Sequence, residues 1–172
     1  METSEGEITL ELFEDDAPNT AANFVHLTGA GFYDGTLFHR VVKGYMMQGG
    51  DPLTRRPDEA RWGTGGPGYR IEDERPKNPG WKHERGMVSM ASAGPHTAGS
   101  QFFIVFGAAA HCDGQYTVFG RVVDGMAVVD RIDQTLATEL TGKPKKPIEL
   151  RRARVVRRRD HAYRPITLPP LR

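Results

Sequence analysis

Cysteine is almost absent. Cys112 stands alone among 172 residues, so no disulfide can form within the chain, which suits a reducing compartment. Long apolar runs are missing too. The longest, Phe102–Ala110, has nine residues, about half of the roughly 20 that a membrane-spanning helix requires. Between Glu2 and Asp16 there are seven acids and no base, the opposite of a basic, apolar secretory leader. These absences predict a cytoplasmic domain without membrane contact. No excess of positive charge marks a nucleic-acid binder, since 23 Lys and Arg face 22 Asp and Glu. No two of the six histidines stand four apart and no serine sits in a G-x-S-x-G turn, so neither a metal site nor a nucleophile elbow is indicated. His111 and Cys112 are neighbours, but adjacent side chains on an extended segment point to opposite faces.

Glycine and proline are plentiful, at 20 and 12 residues, and predict many turns in a chain long enough to bury roughly 70% of its unfolded surface. No repeat or linker divides the body. Charge is uneven along it: Lys143–Arg172 holds 11 bases and two acids. That asymmetry fits an arm for an acidic partner. It fits more simply a basic edge and tail that complement the chain's own acidic body, and the neutral total favours this second reading.

Periodicity supplies the elements. Glu7–Phe13 alternates, with Ile8, Leu10 and Leu12 on one face, as in a half-buried strand. Asp15-Asp16-Ala17-Pro18 opens a helix that buries Ala21, Phe24, Val25 and Leu27 and stops at Gly29 or Gly31. Strands follow over Leu37–Val42, Tyr45–Gln48, Met87–Ala91, Gln101–Phe106, Thr117–Val122 and Ile148–Val156. Asp124 is read as the cap of a second short helix carrying Met126, Val129 and Ile132. Gly49–Gly86 is mostly loop, and Asp160–Arg172 is a tail. Many short strands with two brief helices argue for a mainly antiparallel β-barrel or sandwich.

Gly63-Thr64-Gly65-Gly66-Pro67-Gly68 matches the dinucleotide fingerprint in letters only. It lacks the preceding strand, and Pro76 and Pro79 spoil the following helix. A glycine loop without a cofactor is predicted. In Phe38-His39-Arg40-Val41-Val42-Lys43-Gly44-Tyr45-Met46-Met47-Gln48-Gly49-Gly50-Asp51, alternation sets Phe38, Arg40 and Val42 on one face. An arginine among apolar neighbours is by itself more often a snorkelling edge residue than a catalyst.

That segment resembles the central signature of the cyclophilins, the peptidyl-prolyl cis-trans isomerases. Ala17-Pro18-Asn19-Thr20-Ala21-Ala22-Asn23-Phe24 is similar to the family's first helix, and Gly63–Gly66 to its glycine loop. Gly86-Met87-Val88-Ser89-Met90-Ala91-Ser92-Ala93-Gly94-Pro95, Gly99-Ser100-Gln101-Phe102-Phe103-Ile104 and Asp113–Val122 follow in family order. The resemblance runs from about residue 2 to 157 and has a bacterial flavour. It implies a closed eight-stranded antiparallel barrel capped by two helices as an isomerase domain over residues 1–157, with a basic tail over 158–172. It also implies a groove for proline-containing peptides and folding chains on the outer face, and a monomer that needs no cofactor or metal.

Arg40 matches the family's essential arginine. Gln48 is its catalytic companion, expected to orient it. Tyr45, Met46, Ala91, Ser92, Gln101 and Phe103 match the walls of the substrate groove, completed by His111, Cys112 and Tyr116. Those last three stand where the best-known members have Trp, Leu and His. His111 should therefore weaken cyclosporin, and Cys112 should loosen the proline pocket. Leu53–Trp62 is longer than in compact relatives. The alternative is a proline-peptide-binding module or chaperone with little catalysis, which would keep the apolar pocket without needing Arg40. A nucleic-acid role for the tail is a third reading, and is not favoured.

Overall fold

Alternation at the start of the chain builds three short strands where one is expected. In the computed structural model, which describes residues 1–74, 80–139 and 142–170, β1 (Glu2–Thr3) and β2 (Gly6–Glu7) form a tight hairpin, and β3 (Thr9–Leu12) follows Ile8. The expected strand over Leu37–Val42 is also broken. β4 (Thr36–Leu37) pairs with β10 (Glu149–Arg152), whereas β5 (Arg40–Val42) pairs with β6 (Met46–Gly49). Phe38 and His39 form the corner between them, so Phe38 enters the core and does not share a face with Arg40 and Val42.

With β7 (Met87–Met90), β8 (Phe102–Val105) and β9 (Val118–Asp124), two antiparallel sheets result, in the orders β2-β1-β10-β4 and β3-β9-β7-β8-β6-β5. Two helices, α1 (Pro18–Gly29) and α2 (Met126–Thr135), complete a mainly β architecture. Among the described residues the strand ladder is divided between these sheets and does not run as one closed ring. No helix of the described residues is long and apolar enough to cross a membrane.

The helix starts differ from expectation for local reasons. Ala17 occupies the N-cap of α1 without a side-chain bond, and the acids at 15 and 16 do not serve there. Glu74, more than fifty residues away, does. Its Oε1 accepts from Asn19 N at 2.8 Å, and its Oε2 accepts from Thr20 N at 2.6 Å and from the Thr20 hydroxyl at 2.5 Å. First-turn amides have no partner within a helix, and a carboxylate both bonds them and meets the positive end of the helix dipole. Asp124 does not cap α2. It ends β9, and Gly125 takes the N-cap at φ +87°, where a Cβ would overlap Glu7 O. Only glycine combines that conformation with that approach.

One core lies between the sheets and under the helices, around Phe24, Tyr33, Phe38, Met47, Phe102, Ile104, Phe119 and Ile132. A second, smaller cluster lies on the other face of the same strands: Met46, Phe103, Val105, Ala109 and Cys112. β8 is therefore apolar on both sides, which explains the run Phe102–Phe106 that does not alternate. The outer cluster is the one that positions a site.

The basic segment folds back on the acidic body. Lys143 pairs with Glu59, Lys146 with Glu5 at 2.9 Å, Arg154 with Glu2 at 3.5 Å and Arg159 with Asp15 at 2.6 Å. This charge pattern bears out the self-complementary reading of the sequence.

Removing the remote cap tests its weight in the fold. Glu74→Ala deprives two amides and a hydroxyl of a charged acceptor and is expected to cost about 2 kcal/mol, read as a lowered Tm. An unchanged Tm would mean that water replaces the carboxylate without loss.

Candidate functional site

Strand register carries the site. Arg40 on β5 lies opposite Gln48 on β6, Gln48 opposite Phe103 on β8, and Phe103 opposite Ser89 on β7. Side chains opposite one another across strands share a face, so these four make one row on the outer side of the sheet. Strands lie about 4.8 Å apart, which sets Arg40 roughly 10 Å from Phe103. Val42, Met46, Val105 and Met87 line the same face beside that row.

The apolar end of the row is a built pocket. Met46 is 1% exposed, Phe103 4% and Cys112 fully buried, with Tyr45, Ala91 and Tyr116 packed around them. Tyr116 meets the Phe103 ring edge-on at 5.6 Å between centroids. The Tyr45 hydroxyl and the Cys112 thiol share a hydrogen bond of 3.1 Å. Burial raises the pKa of both groups, so each stays neutral. The segment around Cys112 is not extended as expected. Ala110–Cys112 is a single 3-10 turn that buries Cys112 and leaves His111 exposed, its ring 4.9 Å from that of Tyr45. The thiol is thus part of the pocket floor.

The polar end is a chain of amides with a fixed sense. Gln101 Nε2 donates to the carbonyls of Gly63 and Gly65 at 3.0 and 2.8 Å. Its Oε1 must then face Gln48, whose Nε2 donates to it at 2.9 Å. Gln48 Oε1 is left as an acceptor without a described partner, on the face it shares with Arg40. Contrary to expectation, Gln48 is bonded to Gln101 and not to Arg40. The exposed Arg40 guanidinium makes no hydrogen bond or ion pair among the described residues. Ser92 lies just past Ala91 in the 91–99 loop, where its side chain joins neither the cluster nor the amide chain.

Two supporting groups escape a reading by residue type. Asp51 is fully buried. Its Oδ1 accepts from Leu53 N at 2.7 Å, and its Oδ2 accepts from Gly63 N at 2.5 Å and Gly65 N at 3.2 Å. A Cβ on Gly65 would overlap Asp51 Oδ1. This is why position 65 is glycine, and it has nothing to do with a pyrophosphate. The second group is buried His83, with Nδ1 2.9 Å from Asp113 Oδ1 and Nε2 3.0 Å from Ser89 Oγ.

Serine, histidine and aspartate in this order have the spacing of a nucleophilic triad. Ser89, however, is fully buried, and its hydroxyl donates to Thr117 O at 2.8 Å. The Phe103 ring stacks over His83 at 5.9 Å. Ser89 and His83 therefore form a closed floor beneath Phe103, with Asp113 at its partly exposed edge. Burial lowers the His83 pKa against the opposing pull of Asp113, and the His83 amide lowers that of Asp113. Neither Asp51 nor His83 is among the site residues read from the sequence; the Asp-Pro turn after Gly49-Gly50 is the one local signal that marks Asp51.

A concavity of about 920 Å³ opens elsewhere, between β3, α1 and residues 153–159, and none of the sequence-predicted site residues line it. No cluster of three or more metal-ligating side chains occurs among the described residues.

Residues 1–155 match the family described as "Cyclophilin type peptidyl-prolyl cis-trans isomerase/CLD". The chain is similar to a peptidyl-prolyl cis-trans isomerase-like 1 protein of Neurospora crassa, with 44% identity over 93% of this chain and 94% of that one. It is also similar to a peptidyl-prolyl cis-trans isomerase of Helicobacter pylori, with 48% identity over 78% of each chain. Among solved structures, a cyclophilin-type isomerase of Cryptosporidium parvum, crystallised in the presence of the dipeptide Ala-Pro, superposes with a TM-score of 0.77. It is 33% identical, and the match covers 88% of this chain and 94% of that one.

Proposed function

The chain belongs to the cyclophilin-type peptidyl-prolyl cis-trans isomerases and catalyses rotation about X–Pro bonds, and we propose that Arg40 and Gln48 carry the catalysis. The single observation behind this reading is the row on the outer sheet face. It sets a guanidinium with no partner among the described residues beside an amide of fixed sense and two strands away from a closed apolar pocket.

The chemistry needs no more than that. An X–Pro bond resists rotation by roughly 18–20 kcal/mol because the nitrogen lone pair is delocalised into the carbonyl. At the top of the barrier the amide is twisted and the prolyl nitrogen regains its lone pair. Arg40 donates to that nitrogen, or to the adjacent carbonyl, without giving up a proton, since guanidinium stays charged throughout. Gln48 Oε1 accepts from a substrate backbone N–H and holds the chain in line. Met46, Phe103, Cys112 and Tyr45 grip the pyrrolidine ring, with Tyr116 closing one side. Ala91, Ser92 and Gln101 form the wall along which the rest of the peptide lies. Holding one side of the bond while the other turns makes the interactions strongest in the twisted state, and each tenfold gain in rate corresponds to about 1.4 kcal/mol.

The reading extends to the whole chain: the two sheets curl into one barrel, residues 1–157 are the isomerase domain, and 158–172 are an added tail. The substrates are folding chains, and the protein acts as a cytoplasmic monomer without cofactor, membrane or nucleic acid. A pure proline-binding module is the weaker alternative, because it gives no use to an unpaired Arg40 beside Gln48.

A protease-coupled assay on a proline peptide separates the roles. Arg40→Ala is expected to lower kcat at least about a hundredfold while peptide affinity changes little, whereas Phe103→Ala raises KM by emptying the ring pocket. Parental turnover in Arg40→Ala would overturn the assignment. For cyclosporin, imidazole at 111 offers less apolar area than the family's indole. Inhibition of the parent should be weak, and His111→Trp should tighten it roughly tenfold or more, a gain of at least about 1.4 kcal/mol. Tight inhibition of the parent would show that this position does not govern the drug.

A further inference from the structure

The family match ends at residue 155, yet the chain continues across the body along a defined path. Arg159 grips both carboxylate oxygens of Asp15, at 2.6 and 2.8 Å, and its backbone N donates to the Tyr163 hydroxyl at 3.1 Å. Tyr163 is nearly buried and donates to Glu14 Oε1 at 2.8 Å. Beyond it Ile166 exchanges two hydrogen bonds with the Asn19 side chain, at 2.7 and 3.0 Å. Leu168 then exchanges a pair of backbone hydrogen bonds with Arg70, at 2.7 and 3.1 Å.

Arg70 is where this path meets the groove. Its Nε donates to Pro169 O at 2.8 Å, and its other arm donates to His96 O at 2.9 Å. His96 lies in the 91–99 loop, which begins with Ala91 and Ser92. It sits at φ +56°, a conformation uncommon for a residue bearing a Cβ, and its backbone is bonded in place there. The holders are Arg70 and Asp73. Asp73 Oδ2 accepts from His96 N at 2.9 Å, and Asp73 N donates to His96 Nδ1 at 3.1 Å. Ile71 N completes the tie, donating to Ala98 O at 2.8 Å. One guanidinium therefore bonds the tail on one side and the groove wall on the other.

We propose that residues 159–169 are a strap that sets the position of the 91–99 wall through Arg70, so that docking of the strap tunes affinity for peptide residues flanking the X–Pro pair. The effect on peptides rests on the groove reading given above; the mechanical coupling does not. The wall continues β7, three strands from Arg40 on β5, so the strap acts on binding and leaves bond rotation alone. The Arg159–Asp15 pair is exposed and screened by salt, which makes the docking easy to reverse.

The test uses the full-length chain with Arg159→Asp and the charge-swapped double variant that adds Asp15→Arg. The probes are a six-residue peptide with a central Ala-Pro bond and a blocked Ala-Pro dipeptide. Arg159→Asp is expected to speed hydrogen exchange at the Ile71 and His96 amides about tenfold or more. It should raise KM for the six-residue peptide roughly three- to tenfold, with kcat within about twofold and the dipeptide unaffected. Asp15→Arg should restore both readouts. Arg70→Met, which keeps the aliphatic stem, should reproduce the KM effect while the Arg159–Asp15 pair stays intact. Unchanged exchange at Ile71 and His96 would overturn the coupling. Equal losses on both substrates without rescue would overturn it too, since they describe general destabilisation. A parent that isomerises neither probe would sink the groove reading, while the exchange measurement would still decide for or against the strap.

Discussion

The buried carboxylate of Asp51 sets the terms for everything on the outer face. An anion withdrawn from water is tolerable only when its oxygens are bonded, and here three backbone amides converge on it. Two of them belong to Gly63 and Gly65, so the loop is drawn against the sheet. Its carbonyls then fix the sense of the Gln101 amide, and Gln101 fixes Gln48. The orientation of an acceptor beside Arg40 is thus traced, bond by bond, to one side chain that no substrate touches. Such supporting bonds hold a site within the narrow tolerance that transition-state stabilisation demands.

The other half of the site follows from strands that are apolar on both faces. Met47 and Ile104 fill the core, while Met46, Phe103 and Val105 point the other way and need cover. The segment from Ala109 to Tyr116 supplies it, with Cys112 buried and the His83–Asp113 pair supporting Phe103 from beneath. The cover closes around the cluster and still leaves Arg40 exposed. A closed apolar cluster and a guanidinium without a hydrogen-bond or ion-pair partner among the described residues are what the proposed rotation about a held bond requires. Neither involves a covalent step.

Much of this was legible in the chain, and for definable reasons. Short apolar runs bounded by turn residues located the strands from Met87 to Val122, and start signals with helical spacing located both helices. The family resemblance picked out Arg40, Met46, Gln48 and Phe103, which register brings onto one face. What failed was local. Alternation cannot see a corner, so Phe38 was set on the same face as Arg40. A helix start rich in acids concealed that Glu74, distant in sequence, supplies the cap. Asp124 looked like a cap because its side-chain chemistry fits, but Gly125 is the residue that fits the backbone. The amide chain through Gln101 depends on contacts between residues more than thirty positions apart, and no pattern within a short window carries it.

The proposed pairing of Gln48 with Arg40 depends most directly on the fixed sense of that amide chain. Gln101→Glu is nearly isosteric and keeps an oxygen for Gln48 Nε2, but it replaces the donor facing the Gly63 and Gly65 carbonyls with an acceptor that repels them, so the side chain to which Gln48 is bonded is no longer held in place. Turnover of a proline peptide should fall to about the level of Gln48→Ala, by roughly tenfold or more, while Tm changes modestly. Parental turnover in Gln101→Glu, with Gln48→Ala impaired, would contradict the proposed orientation of the Gln48 amide by Gln101 and the glycine loop.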